Sequence, residues 1–151
     1  MDILPLSKKY KKALADLLIG YWKERGMTYS SQWTHRYLTE GHRIEILGEA
    51  FFVAVEKGDV VGSMSLVFWE PDVAEMRDFF VLPKFRKYGV GNKLLDAVLK
   101  ECERRKIRKV FAYVLPEAEG FFLKRGFRKE GTLKEHYQKG EDLIAIGKLL
   151  R

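Results

Sequence analysis

The chain has 151 residues, 46% hydrophobic and 32% charged, with 28 Lys and Arg against 21 Asp and Glu for a net charge of +7. That length suits one domain over residues 1–151 with a core of its own, and the balance of apolar and charged residues excludes a disordered chain. No stretch approaches the roughly 18 apolar residues of a membrane span, the first residues lack a basic segment followed by an apolar one, and the single Cys102 leaves no internal disulfide, so a cytoplasmic, reducing setting is expected.

Residues 1–6 suit a short first strand. Ser7 is placed to cap a helix over 8–25, in which Tyr10, Leu14, Leu17, Leu18 and Tyr21 recur on one face and Gly26 supplies a stop. Met27, Tyr29, Trp33, Tyr37 and Leu38 predict a second helix from 31 to 47, with Glu40, Glu45 and Glu49 among basic residues, and its aromatics read first as packing. Residues 50–56 and 60–69 read as strands joined by a turn at Lys57-Gly58-Asp59, and Pro71-Asp72 turns the chain into a further strand over 74–81. The three strands form an antiparallel meander, with Gly62 marking a local irregularity.

The stretch that follows organises the rest. Pro83 breaks the strand, Arg86-Lys87-Tyr88-Gly89-Val90-Gly91 makes a basic glycine-containing turn, and a helix over 91–105 turns Leu94, Leu95, Val98, Leu99 and Cys102 inward. Glycines at 89 and 91 let backbone approach a ligand with no Cβ in the way, and the unpaired amides of a helix's first turn favour an anion. A tight turn alone would explain the glycines. Lys84, Arg86, Lys87 and Lys93, however, repel one another unless solvated or facing a polyanion, which favours a phosphate-bearing ligand. Neither G-x-x-x-x-G-K-[ST] nor G-x-G-x-x-G is present, which disfavours a nucleoside triphosphatase and a Rossmann dehydrogenase. An apolar strand over 107–114, a helix over 117–124 stopped by Gly126, and a hairpin of 132–137 and 142–149 around Lys139-Gly140 complete the chain. A strand, crossover helix and strand imply parallel neighbours.

Other chemistry is sparse. Cys102 shares a stripe with Leu94, Leu95 and Val98 and reads as a small buried hydrophobe. His35, His42 and His136 are scattered, so no metal is expected. The positive charge alone would admit a nucleic-acid partner. No helix-turn-helix, zinc or aromatic RNA-binding signature accompanies it.

Arg86-x-x-Gly89-x-Gly91, between a strand ending Val81-Leu82-Pro83 and an amphipathic helix, resembles the coenzyme-A motif of the GNAT superfamily of N-acetyltransferases. Ala118-x-x-Phe121-Phe122-x-x-x-Gly126-Phe127 is similar to that family's helix after the fifth strand, and the resemblance covers residues 50–149 in order and spacing. It implies an α/β (α+β) fold: a mixed, largely antiparallel sheet of six to seven strands flanked by helices and splayed between strands four and five, here 74–81 and 107–114. It also implies acetyl-CoA as co-substrate and a primary amine on a small molecule or protein as acceptor. Many relatives form homodimers.

The resemblance carries residue roles with it. Backbone groups of Phe79, Phe80 and Val81 would hold the pantetheine arm beside a bulged fourth strand. Amides of Arg86, Lys87, Tyr88, Gly89, Val90 and Gly91 and the helix start at Asn92 would take the pyrophosphate, with charge from Arg86 and Lys87. Glu75 occupies the position of a catalytic glutamate in histone-modifying members and Asp78 is the second acid candidate; an unbulged strand would face them oppositely. Glu75 pairing with Arg77 is the structural alternative. Leu115 stands where many members carry an asparagine at the end of strand five, and Phe122, among the cofactor-binding positions, where they carry a tyrosine that protonates the leaving thiolate. Because Phe122 cannot donate a proton, either another group does so, with Tyr113 and Tyr137 as the candidate donors to the leaving thiolate, or the thiolate leaves unassisted. That departure motivates a competing reading, a coenzyme-A-binding sensor without turnover.

Overall fold

The computed structural model describes residues 4, 7–24, 26–40 and 47–151. They fall into two compact units, Met1–Glu45 and Ile46–Arg151. Apart from Leu4, the strand expected at 1–6 lies outside the described residues, as do 41–46 of the expected second helix.

The first unit holds α1 (Lys8–Glu24) and α2 (Ser31–Glu40). At the start of α1 the Tyr10 amide donates to the Ser7 backbone carbonyl at 3.1 Å; at its end the Gly26 and Met27 amides donate to the Lys23 and Trp22 carbonyls at 3.1 and 2.9 Å. Those paired bonds satisfy the last carbonyls and make the predicted stop. Ser30 caps α2, its hydroxyl accepting from the Trp33 amide at 3.1 Å. The aromatics pack on one another: Tyr29 stacks on Trp33 at 4.5 Å, Trp33 on Tyr37 at 5.3 Å, and Trp22 meets all three edge-on. Residue 47, the expected end of that helix, is not helical: Leu47 directly precedes the first strand, and its amide donates to the Phe68 carbonyl at 2.7 Å, a partner that helix propensity alone cannot outbid.

The second unit contains β1 (Gly48–Glu56), β2 (Asp59–Glu70), β3 (Val73–Val81), α3 (Val90–Arg104), β4 (Lys109–Val114), α4 (Pro116–Lys124), β5 (Arg128–Gln138) and β6 (Glu141–Leu149). Its six strands are ordered β1-β2-β3-β4-β6-β5. Every neighbouring pair is antiparallel except β3 and β4, the pair joined by the helical crossover α3, as chain geometry requires of parallel neighbours. The hairpin turn between β1 and β2 is the pair Lys57-Gly58, and the pairing slips between Ala54 and Val55 beside Gly62, the irregularity expected there. Pro116 opens α4, where its missing amide costs nothing.

Alternate residues of the strands build one face of the core: Met64, Leu66 and Phe68 of β2, Ala74 and Met76 of β3, Val110 and Ala112 of β4, Ile144 and Ile146 of β6. Leu94, Leu95, Val98 and Cys102 of α3 and Phe122 of α4 close over it, with Leu99 partly buried beside them. The inward stripe read from the sequence is therefore the packed one. Burial pushes the Cys102 thiol up to about 12, as expected of a group whose anion would lose its hydration. The opposite face carries Ser65 and Val67 of β2, Glu75 and Arg77 of β3 and Phe111 of β4, as the cross-strand pairs Ser65 with Arg77, Val67 with Glu75 and Glu75 with Phe111 require.

Candidate functional site at the parting of two strands

β3 and β4 pair only through Val73 with Lys109, Ala74 with Val110 and Glu75 with Phe111. Beyond Glu75, β3 continues on β2 alone and β4 continues on β6 alone. The strands part, and among the described residues the β3 edge facing that gap has no strand partner along Phe79, Phe80 and Val81. An extended ligand arm can bond such an edge as an added strand.

The parting is accompanied by a bulge. Ser65 pairs with Arg77 and Ser63 with Phe80, so Met64 alone faces both Asp78 and Phe79, and Asp78 takes a left-handed φ of 52°. Two serines of β2 pin the extra residue: the Ser63 hydroxyl donates to the Asp78 backbone carbonyl at 2.7 Å and the Ser65 hydroxyl to the Asp78 carboxylate at 2.5 Å. Asp78 thereby comes to the face that Glu75 and Arg77 already occupy, reversing the opposition that an even pleat imposes. Phe79 turns to the other face, stacking on Phe121 at 5.2 Å and meeting Phe122 edge-on at 5.5 Å.

The two carboxylates differ in accessibility. Glu75 is only 5% exposed; one oxygen accepts from Arg77 Nε at 2.9 Å, and the other from Trp69 Nε1 at 2.6 Å and Arg77 Nη2 at 3.1 Å. The Arg77 guanidinium lies 5.6 Å from the Trp69 ring centre, and its bond to Glu75 raises its own pKa against the cost of burial. The pairing of Glu75 with Arg77 foreseen as the alternative to catalysis is thus present. Asp78 is exposed. The serines and Trp69 that hold these acids escaped the sequence reading, because only strand register brings them opposite.

Beyond β3, Pro83–Phe85 forms a short 3-10 turn. The Arg86 amide donates to the Pro83 carbonyl at 3.2 Å, so the unpaired amides begin one residue later, at Lys87. Arg86 Nε donates to the Val81 carbonyl at 2.8 Å, and the guanidinium lies 5.6 Å from the Phe80 ring centre, so part of this side chain secures the strand end. The amides of Lys87, Tyr88, Gly89, Val90, Gly91 and Asn92 find no acceptor among the described residues; the first helical bond in this stretch runs from the Lys93 amide to the Gly89 carbonyl at 3.0 Å.

The two glycines do different work. Gly89 is the left-handed N-cap of α3, with φ 78° and open space where a Cβ would be. At Gly91 a Cβ would lie 3.0 Å from Phe79 Cζ and 3.5 Å from the Phe121 ring. Its bareness lets α3 sit down on those rings, a reason the sequence reading assigned to the ligand.

Tyr113 stands two residues past the last β3–β4 pair, 47% exposed, edge-on to Phe111 at 5.8 Å and 6.4 Å from the His136 ring. Tyr137 is exposed on β5 and Leu115 is the N-cap of α4. Phe122 is 1% exposed and packs against Phe79, Phe121 and Phe127, so it serves the core. No group of three or more His, Cys, Asp or Glu among the described residues is arranged to hold a metal ion. No helix there is long and apolar enough to cross a membrane.

Parallel strands that separate, a bulge at the separation and a helix end with unpaired amides beside it make up the candidate site. Residues 12–127 match the model of the acetyltransferase (GNAT) family, and the chain belongs to that family. A protein described as an uncharacterized N-acetyltransferase of Chlorobaculum tepidum is 34% identical over 79 residues, 52% of this chain; the chain spans about half, 50%, of that relative's length. Two solved structures share the fold. An aminoglycoside 6′-N-acetyltransferase complexed with coenzyme A superposes with a TM-score of 0.63 at 17% identity, over 100% of this chain and 98% of that one. A GNAT family acetyltransferase from Elizabethkingia anophelis with acetyl-CoA bound gives 0.61 at 20% identity, over 80% and 84% of the two chains.

Proposed function

We propose that the protein transfers an acetyl group from acetyl-CoA to a primary amine of a small molecule or protein. The observation that carries this reading is the run of six amides, Lys87 to Asn92, without an acceptor among the described residues, next to a strand edge that loses its neighbour after Glu75. Those amides, aided by Lys87, suit a pyrophosphate, and the gap-facing edge of β3 over Phe79 to Val81 suits the amide-bearing arm of coenzyme A. One lone pair of the Val81 carbonyl is taken by Arg86 and the second remains for the arm. Bound there, acetyl-CoA supplies a thioester as acyl donor.

The chain's own residues then handle protons. An alkylammonium has a pKa of about 10.4, so the acceptor must lose a proton before it attacks. Asp78, exposed on the bulge and oriented by Ser65, takes that proton directly or through water. Glu75, closed in by Arg77 and Trp69, positions the wall on which Asp78 stands. Tyr113, on the β4 side of the gap, delivers a proton to sulfur as the carbon–sulfur bond breaks, the role that Phe122 cannot fill.

Calorimetric titration with acetyl-CoA tests the binding half, and failure to bind at high micromolar concentration ends the reading. Release of free thiol over a panel of primary amines tests the transfer. Asp78→Asn is expected to retain acetyl-CoA and lose about 10²-fold or more in kcat; unaltered turnover would remove Asp78 from this role. The buried, hydroxyl-free Phe122 supports a second reading, a coenzyme-A-binding sensor. Binding without thiol release from any amine would favour it.

A further inference from the structure

We propose that Arg125, at the C-terminal end of α4, is a positioning residue for the pyrophosphate end of the cofactor site; the inference rests on the reading of that site given above. Arg125 lies 33 residues from Asn92 in sequence, yet its Nη1 donates to Asn92 Oδ1 at 2.7 Å and its Nη2 donates to the Asp96 carboxylate. One guanidinium therefore grips the first and second turns of α3, the helix whose leading amides face the proposed ligand. The grip is itself anchored: the Arg125 amide donates to the Phe122 carbonyl at 3.0 Å, and Lys148 of β6 donates to the Arg125 carbonyl at 2.8 Å.

The chemistry of the pair sets the direction of the Asn92 side chain. A guanidinium has donors only, so Asn92 must turn its oxygen toward Arg125. Its two N–H donors then point away from Arg125, available to a ligand anion at the head of the helix alongside the bare amides of Val90 and Gly91. Because Asp96 pairs with the same guanidinium, Arg125 acts by holding geometry, and its own charge is largely spent. A planar fork meets two acceptors on successive turns at once, which a lysine ammonium on a flexible stem cannot match.

The test is calorimetric titration of the full chain with coenzyme A and with dephospho-coenzyme A, which keeps the pyrophosphate and lacks the 3′-phosphate, together with thermal unfolding. Arg125→Met is expected to weaken both ligands by about five- to tenfold, and Arg125→Lys to recover only part of the loss. Asn92→Asp separates positioning from folding. It keeps an oxygen acceptor for Arg125 and puts a negative charge in a helix's first turn, so the unfolding midpoint should hold or rise, while both ligands bind at least about tenfold more weakly. If the wild type binds coenzyme A and Arg125→Met binds it within about twofold, or Asn92→Asp binds like wild type, the inference is wrong and the functional reading stands. A loss confined to coenzyme A and absent with dephospho-coenzyme A overturns the assignment to the pyrophosphate. Should the wild type bind neither ligand, the functional reading falls and the inference with it.

Discussion

Replacing Gly91 by alanine probes why α3 begins where it does. The added Cβ would lie 3.0 Å from Phe79 Cζ, whereas carbon atoms settle at about 3.5–4.0 Å, so the ring must retreat by about half an ångström. Retreat is obstructed: Phe79 stacks on Phe121 at 5.2 Å and abuts Phe122 at 5.5 Å, and Phe122 is itself buried. Overpacking of this kind costs about 1–3 kcal/mol, and alanine's better helix propensity returns up to about 1 kcal/mol. The net expectation is a loss of about 1 kcal/mol, or about 2–4 °C in the unfolding midpoint for a chain of this size. Coenzyme A binding should weaken as well, because the displaced first turn carries the amides. Adding Phe79→Leu to Gly91→Ala should recover part of both losses. Gly89 gives the contrasting series, with open space and a left-handed backbone: Gly89→Asn should be milder than Gly89→Ala, whereas Gly91→Asn should be worse than Gly91→Ala. Thermal unfolding and calorimetry read all of these. A Gly91→Ala protein that melts higher than wild type, or a Phe79→Leu partner that relieves nothing, would refute the packing account.

Other substitutions address the acids and the thiol. Glu75→Gln should lower stability by about 1–3 kcal/mol in denaturant titration, because it weakens the anchor of Arg77 and Trp69 in a buried place, and should reduce turnover less than Asp78→Asn does; the reverse order would return the base to Glu75. Arg104 and then Arg105 hold the Glu101 carboxyl at about 2, below its ordinary 4.5, so its contribution to stability is present above pH 4.5 and fades as pH falls toward 2. Glu101→Gln should therefore flatten the acid side of the midpoint-versus-pH curve, modestly and in a salt-dependent way, since Arg104 is exposed to solvent. With its thiol pushed up to about 12 by burial, Cys102 should resist a water-soluble thiol reagent in the native protein and react once denaturant unfolds it; rapid native labelling would contradict its place in the core.

Much of the architecture was legible without coordinates, because the relevant signals are local. The 3.6-residue stripe of Leu94, Leu95, Val98 and Cys102 specifies a helix and its buried side through backbone geometry alone, and the paired amide bonds after α1 follow from a glycine where the helical pattern ends. The order of strand, basic glycine turn and helix likewise announced a helix end with unpaired amides, since helix starts leave them so in any fold.

What the sequence by itself determined, then, was most of the elements, the family and a basic glycine turn leading into a helix end. Register, reach and packing across the sheet were decided only by the tertiary structure. Whether Asp78 or Glu75 is open to an acceptor turns on an extra residue in β3 held by two serines of β2, and one shifted residue moves side chains to the other face. The split between Gly89 and Gly91 depends on where the rings of Phe79 and Phe121 come to rest, and the grip of Arg125 on Asn92 spans two helices. These are contacts between residues far apart along the chain, and no local preference encodes a distance that only packing can set.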